Sequence, residues 1–297
     1  MEKLFYFISG LPRSGSTVLS AILNQNPRFY SGPSSPVVGL MVLIEQELSS
    51  NELFLAYPKP PQAGEIISNI LPQYYSDIDK PIIFDKNRSW TTRLHYIEGY
   101  FGFTPKVICP VRNIDEILSS FISMHRRNNY EINGKINFID EMLIKSNIPL
   151  TDDNRCEFLA SPSGILGQSY NGIKSALMKG QQQFIHFVEY DDLINSPEET
   201  MRKIYEFLDE EYYDHDFNHL VNINSENDSL VYGIKDMHSV RRELGRTSAD
   251  PEEILSENTL SKCKNLEFWR DLDEHEANEF KETEENYPAI AENFIGA

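Results

Sequence analysis

The chain alternates between short continuous apolar runs and longer stretches with a helical repeat. Lys3-Leu-Phe-Tyr-Phe-Ile-Ser9 is an apolar run ending just before Gly10, which predicts a buried strand. Ser14–Gln25 then places Val18, Leu19, Ile22 and Leu23 on one helical face, with Pro27 beyond its end. Lys80–Phe84, Lys106–Val111 and Phe184–Val188 are further strand candidates. After the third strand, Ile114, Ile117, Leu118, Phe121 and Ile122 recur at helical spacing, with Asp115 and Glu116 suiting the positive end of the helix dipole. Ser196-Pro-Glu-Glu199 reads as an N-cap, a proline at the first helical position and a capping-box glutamate. The helix it opens turns Met201, Ile204, Tyr205 and Leu208 inward. Between these elements, residues 28–80 are interrupted by prolines and polar residues, with one amphipathic helix predicted over Val37–Leu48. Residues 128–183 are the least regular, holding polar Thr151–Arg155 and Ser/Pro/Gly-rich Ser161–Gly167.

Apolar strands alternating with helices predict an α/β fold, a three-layer α/β/α arrangement around a central parallel sheet. Such sheets bind ligands beyond the carboxyl ends of their strands. No domain boundary is visible, so residues 1–297 are expected to form a single domain with an acidic tail over about 271–297.

Gly10-Leu-Pro-Arg-Ser-Gly-Ser-Thr17 lies where the first strand turns into the first helix. Backbone N–H groups at a helix N-terminus, with a cation and hydroxyls beside them, make an oxyanion cradle. A nucleoside-triphosphate loop would carry lysine where this chain has Ser16, and its cation is Arg13 instead. That substitution removes the group reaching the β/γ-phosphates, and no later strand offers a convincing Mg²⁺-binding aspartate. The loop is expected to hold a phosphate-like group other than ATP with Mg²⁺.

Leu11–Thr17 resembles the 5′-phosphosulfate loop of sulfotransferases that use 3′-phosphoadenosine 5′-phosphosulfate (PAPS), in the style of the protein-tyrosine and carbohydrate branches. Val111-Arg-Asn-Ile-Asp-Glu-Ile-Leu-Ser-Ser120 resembles the same family's 3′-phosphate motif. The resemblance implies a P-loop-like sulfotransferase fold, PAPS as donor and 3′-phosphoadenosine 5′-phosphate as product. It implies nucleotide binding by Pro12, Arg13, Ser14, Gly15, Ser16 and Thr17, and 3′-phosphate binding by Arg112 and Ser120. Arg112 also makes sense by itself, since a strand-end guanidinium can grip phosphate through two hydrogen bonds. Ser120 rests on the resemblance alone. Phe84-Asp-Lys-Asn-Arg88 resembles the segment whose lysine assists sulfuryl transfer, which gives Lys86 that role. Phe187–Leu193 resembles the late strand-to-helix segment and adds Tyr190. Leu244-Gly-Arg-Thr247 resembles the loop that closes over the nucleotide, adding Gly245, Arg246 and Thr247, although Leu244 stands where that loop has lysine.

Sulfuryl transfer is expected to proceed by in-line displacement, so positioning and electrostatics dominate. Arg13 would neutralise charge on the leaving phosphate, Lys86 would support the sulfuryl group, and Ser14–Thr17 would donate backbone and hydroxyl hydrogen bonds. The glutamate that tyrosine- and heparan-type relatives place after the first helix is absent from Ser31–Pro36. Asp85 is the first candidate base, or else it orients Lys86 by an ion pair; His95 is the second candidate. No metal-ligand spacing appears, so the chemistry is expected to be metal-independent. A P-loop small-molecule kinase and an inactive nucleotide-binding protein are the competing readings.

Composition narrows the partners. The chain is 40% apolar and 25% charged, which is ordinary for a globular protein, and its net charge is −19. Residues 1–130 hold 12 basic and 11 acidic side chains, so the remainder carries −20, and the anion-binding signals lie in the near-neutral half. Lys235, Arg241, Arg242 and Arg246 form a basic cluster inside the acidic half. A surface this negative should repel nucleic acid and acidic headgroups. The acceptor is expected to be hydroxyl-bearing, whether small molecule, glycan or protein. Three scattered cysteines and no apolar run long enough to span a bilayer suggest a cytoplasmic location.

Overall fold

A computed structural model describes residues 3–128, 131–132, 134–221, 226–245, 249–272 and 290–295. The strands of the central sheet are β1 (Leu4–Ile8), β2 (Phe29–Ser34), β3 (Ile82–Lys86), β4 (Val107–Val111) and β5 (Ile185–Glu189), and Glu131–Ile132 pairs separately with Lys135–Ile136. They form one sheet in the order β2-β3-β1-β4-β5 with every pair parallel. β1 is central because Phe5 and Phe7 face one apolar cluster while Tyr6 and Ile8 face the other. The first cluster is closed by α2 (Val37–Ser50), α3 (Ile114–Arg127), α4 (Asp152–Ala160) and α5 (Ile165–Met178). The second is closed by α1 (Ser16–Leu23) and α7 (Pro197–Leu208), with α6 (Tyr190–Asn195) leading into α7. This is the expected three-layer α/β/α fold.

Several boundaries differ from the sequence reading, each for a local reason. α1 starts at Ser16 because Gly15 is left-handed (φ 90°) and Arg13 is too (φ 60°), so the loop wraps before the helix begins. β3 runs two residues further than the apolar pattern, carrying Asp85 and Lys86 in register with Phe7 and Ile8. β2 went unread because it contains Ser-Gly-Pro; it pairs only with β3, and an edge strand tolerates proline. The irregular-looking 128–183 stretch is largely helical: Thr151 caps α4 by accepting from the Asn154 amide at 3.2 Å, and Arg155 pairs with buried Asp140 at 2.8 Å. The capping box at Ser196 does not form. The Ser196 side chain makes no cap hydrogen bond, and Glu199 instead pairs with Lys203 at 2.8 Å. Among the described residues no helix is long and apolar enough to cross a membrane.

Candidate functional site

The carboxyl ends of β1, β3 and β4 converge on the loop after β1. The loop is drawn tightly to β4: Leu11 N donates to Pro110 O at 2.9 Å, and a Cβ on Gly10 would run into the Pro110 backbone. Ser14 is buried, and its hydroxyl donates to the carbonyls of Pro110 (2.8 Å) and Leu11. That hydroxyl holds the loop's shape and is not offered to a ligand, which corrects its expected role. Pro12, Arg13, Gly15, Ser16 and Thr17 do line a cleft of about 130 Å³ above the loop. Gly15 is required there twice over: its φ is left-handed, and a Cβ would sit 3.0 Å from the Tyr190 ring.

Arg112, Ser120 and Tyr190 line the same cleft, so the three motifs that lie far apart in sequence meet. Arg112, at the end of β4, donates from Nε to Glu116 at 2.8 Å and from Nη1 to the Arg13 carbonyl at 3.2 Å. Its guanidinium lies 4.1 Å from the centre of the Tyr190 ring. Arg13 donates from Nε to Ser120 Oγ at 3.2 Å and from Nη1 to the Met237 carbonyl. Burial first, then the neighbouring charges of Arg112 and Arg127, hold the Arg13 pKa below its ordinary value. A wider chamber of about 760 Å³ opens beside Arg13, Ser120 and Tyr190, and Arg127, Lys235, Arg241 and Gly245 help line it. Arg242 does not line it, and Arg246 and Thr247 lie outside the described residues.

Lys86 also lines the cleft. It is buried, with Nζ 3.8 Å from Glu226 Oε1. Burial lowers its pKa most, and Arg88 adds to that while Glu226 opposes it.

Neither expected base is brought to the cleft. Successive strand residues face opposite sides, so with Lys86 in the cleft Asp85 turns into the other layer. There it is fully buried and accepts from Ser35 Oγ (2.5 Å), Trp90 Nε1 (2.6 Å) and Tyr75 Oη (2.9 Å). It neither pairs with Lys86 nor reaches an acceptor. His95 is exposed on the short helix Leu94–Tyr96, against the edge of the Tyr96 ring.

The residues that sequence reasoning missed come from β3's end and from the segment around α8 (Asp228–Tyr232). Asn87, Arg88 and His238 line the cleft beside Lys86. His238 Nδ1 lies 2.6 Å from Asp228 Oδ1 and 3.3 Å from Glu226 Oε2. Glu226, Asp228 and His238 place ligand-capable atoms within 4.8 Å of one another, a cluster that their sequence spacing gave no reason to expect.

The model of a sulfotransferase family matches residues 6–214. No curated protein sequence matches the chain. Among solved structures, the sulfotransferase domain of the Synechococcus PCC 7002 olefin synthase aligns at 16% identity and TM-score 0.45, over 86% of this chain and 87% of its own. The sulfotransferase domain from the curacin biosynthetic pathway aligns at 15% and 0.45, over 99% and 96%. A sulfotransferase from Alicyclobacillus acidocaldarius aligns at 11% and 0.42, over 73% and 85%. With the family match covering most of the chain, and the loop, Arg112 and Ser120 assembled in one cleft, the protein belongs to the sulfotransferase family.

Proposed function

We propose that this chain transfers the sulfuryl group of PAPS to a hydroxyl acceptor by in-line displacement, without a metal ion. Bound PAPS supplies the activated sulfuryl group and a good leaving phosphate. The residues present fit it: the left-handed loop makes an oxyanion cradle, and guanidinium and hydroxyl groups line the adjoining chamber. The observation that carries the reading is the meeting of Arg13, Arg112 and Ser120 with the left-handed loop in one cleft, where burial first and then the charges of Arg112 and Arg127 lower the Arg13 pKa. Cations and backbone amides gathered at one loop favour an anion between them.

In this reading the amides of Gly15–Thr17 and the Ser16 and Thr17 hydroxyls hold the 5′-phosphosulfate, while Arg112 and Ser120 hold the 3′-phosphate. Tyr190 backs the Arg112 guanidinium, and the segment's resemblance to the family assigns Gly245, Arg246 and Thr247 to nucleoside binding. Arg13 neutralises charge developing on the leaving phosphate, and Lys86 supports the sulfuryl oxygens. His238 takes the acceptor proton. Asp228 holds its Nδ1 proton, so Nε2 is the basic nitrogen. Calorimetry tests the reading: 3′-phosphoadenosine 5′-phosphate should bind at least about tenfold more tightly than ATP. Equal or tighter binding of ATP, especially with Mg²⁺, would turn the assignment towards a kinase.

A further inference from the structure

The cleft opens on two sides through residues that do not overlap. The wide chamber shares Arg13, Val18, Ser120, Tyr190 and Ser239 with it. A second pocket, of about 400 Å³, shares only Asn87 and Arg88 and has no residue in common with the chamber. In-line displacement needs the acceptor to approach opposite the leaving group. With the nucleoside in the chamber, the acceptor's route is the pocket beyond Arg88. That assignment rests on the transfer reading above.

The pocket's chemistry is uneven. Thr92, Gln168, Ser169 and Asn171 bring hydroxyls and amides, Arg88 is its single charged group, and no carboxylate lines it. Most of those polar groups are already committed: Thr92 Oγ1 donates to Ser89 O, Gln168 Nε2 to Ser163 O and Ser169 Oγ to Ile165 O. Among the described residues the Arg88 guanidinium has no hydrogen bond or ion pair, and burial pushes its pKa down. Glu226 and Tyr232 act on it electrostatically, but its fork of N–H donors is left open to a planar anion. The strongly acidic second half of the chain disfavours an extended polyanion, which leaves room for one negative charge.

We infer that the pocket between Arg88 and α5 is the acceptor site, and that its ligand is a hydroxy acid whose single carboxylate pairs with Arg88 while its hydroxyl reaches Lys86 and His238. The pairing is bidentate in form, since a guanidinium fork matches a carboxylate.

The test uses the full chain saturated with 3′-phosphoadenosine 5′-phosphate. The probes are a matched series of hydroxy acids and their amides, from hydroxyacetate to 6-hydroxyhexanoate, with binding read by saturation-transfer NMR. At least one acid should bind about tenfold or more tightly than its amide, the gain of one charge-assisted pair. Arg88→Gln should erase that preference and Arg88→Lys should keep part of it, each variant being compared after saturation with nucleotide at its own affinity. The proposal is overturned if acids and amides bind alike, if no acid binds at millimolar concentration, or if Arg88→Gln leaves the preference for the acid intact. Failure of the wild-type chain to bind the nucleotide would defeat the transfer reading, not the pocket. The acids are then titrated into the protein alone, where the same comparison decides.

Discussion

Removing Arg112 probes the 3′-phosphate assignment, but the structure shows that the simple variant is confounded. Arg112 is 4% exposed and Glu116 6%, and their side chains pair at 2.8 Å. Arg112→Ala would strand a buried carboxylate, a change that costs roughly 3–5 kcal/mol of stability. It would also free the Arg13 carbonyl that Nη1 holds at 3.2 Å, loosening the phosphosulfate loop itself. The cleaner perturbation is Arg112→Gln with Glu116→Gln, which removes both charges and keeps the side-chain lengths similar. Replacing a buried pair in this way is often close to neutral in stability. Calorimetry on the double variant should then show 3′-phosphoadenosine 5′-phosphate weakened by roughly 2–4 kcal/mol, the loss of a buried charge pair to the ligand. That is about 30- to 700-fold in Kd. Adenosine 5′-phosphate, which lacks the 3′-phosphate, should lose clearly less, because it feels only the released Arg13 carbonyl and not the missing 3′ contact. Equal weakening of both nucleotides would place Arg112 on the 5′ side and refute the argument.

Four further outcomes are expected. His238→Gln should lower turnover by roughly 10²–10⁴-fold with nucleotide affinity retained, and near-normal turnover would remove His238 as the base. Asp85→Asn should act on stability instead, lowering the unfolding free energy by about 1–3 kcal/mol because it disturbs a buried three-donor network; a loss of turnover in a variant as stable as wild type would contradict its placement. Activity should stay within about twofold in EDTA, and a large loss restored by Mg²⁺ would make Glu226, Asp228 and His238 a metal site. His215 is 7% exposed, and burial lowers its pKa from 6.5 to about 4. The unfolded chain therefore binds the proton first, so stability is complete above about pH 6.5 and falls as pH drops towards 4, by about 2–3 kcal/mol. Urea unfolding across that window should show the slope, and His215→Phe should reduce it, leaving the share of His186, whose pKa burial also lowers to about 4.

The sheet was legible because its inner strands are buried on both faces and read as unbroken apolar runs. β2 was not, since an edge strand needs neither continuous apolarity nor freedom from proline, and Phe29-Tyr-Ser-Gly-Pro-Ser34 has the composition of a turn. The helices of 138–178 were hidden for a different reason. Their stability comes from tertiary contacts such as Arg155 with Asp140 and Tyr170 Oη donating to the Leu266 carbonyl at 2.8 Å. Local periodicity does not record partners that distant.

The site divides along the same line. Its anion-binding half lies on contiguous motifs at strand ends, and those survive in sequence as a loop followed by a helix start. The histidine–carboxylate pair does not: Asp228 and His238 are ten residues apart in an irregular segment, and only the fold sets them 2.6 Å apart near a lysine from β3. One error was avoidable from the pattern alone. Asp85 and Lys86 are adjacent in a strand, and a strand sends neighbours to opposite faces. Once Lys86 is assigned to the cleft, Asp85 must point into the layer behind it, where Ser35, Tyr75 and Trp90 satisfy it. The carboxylate that fixes β3 against α2's start and the lysine that lines the cleft are two products of one alternation.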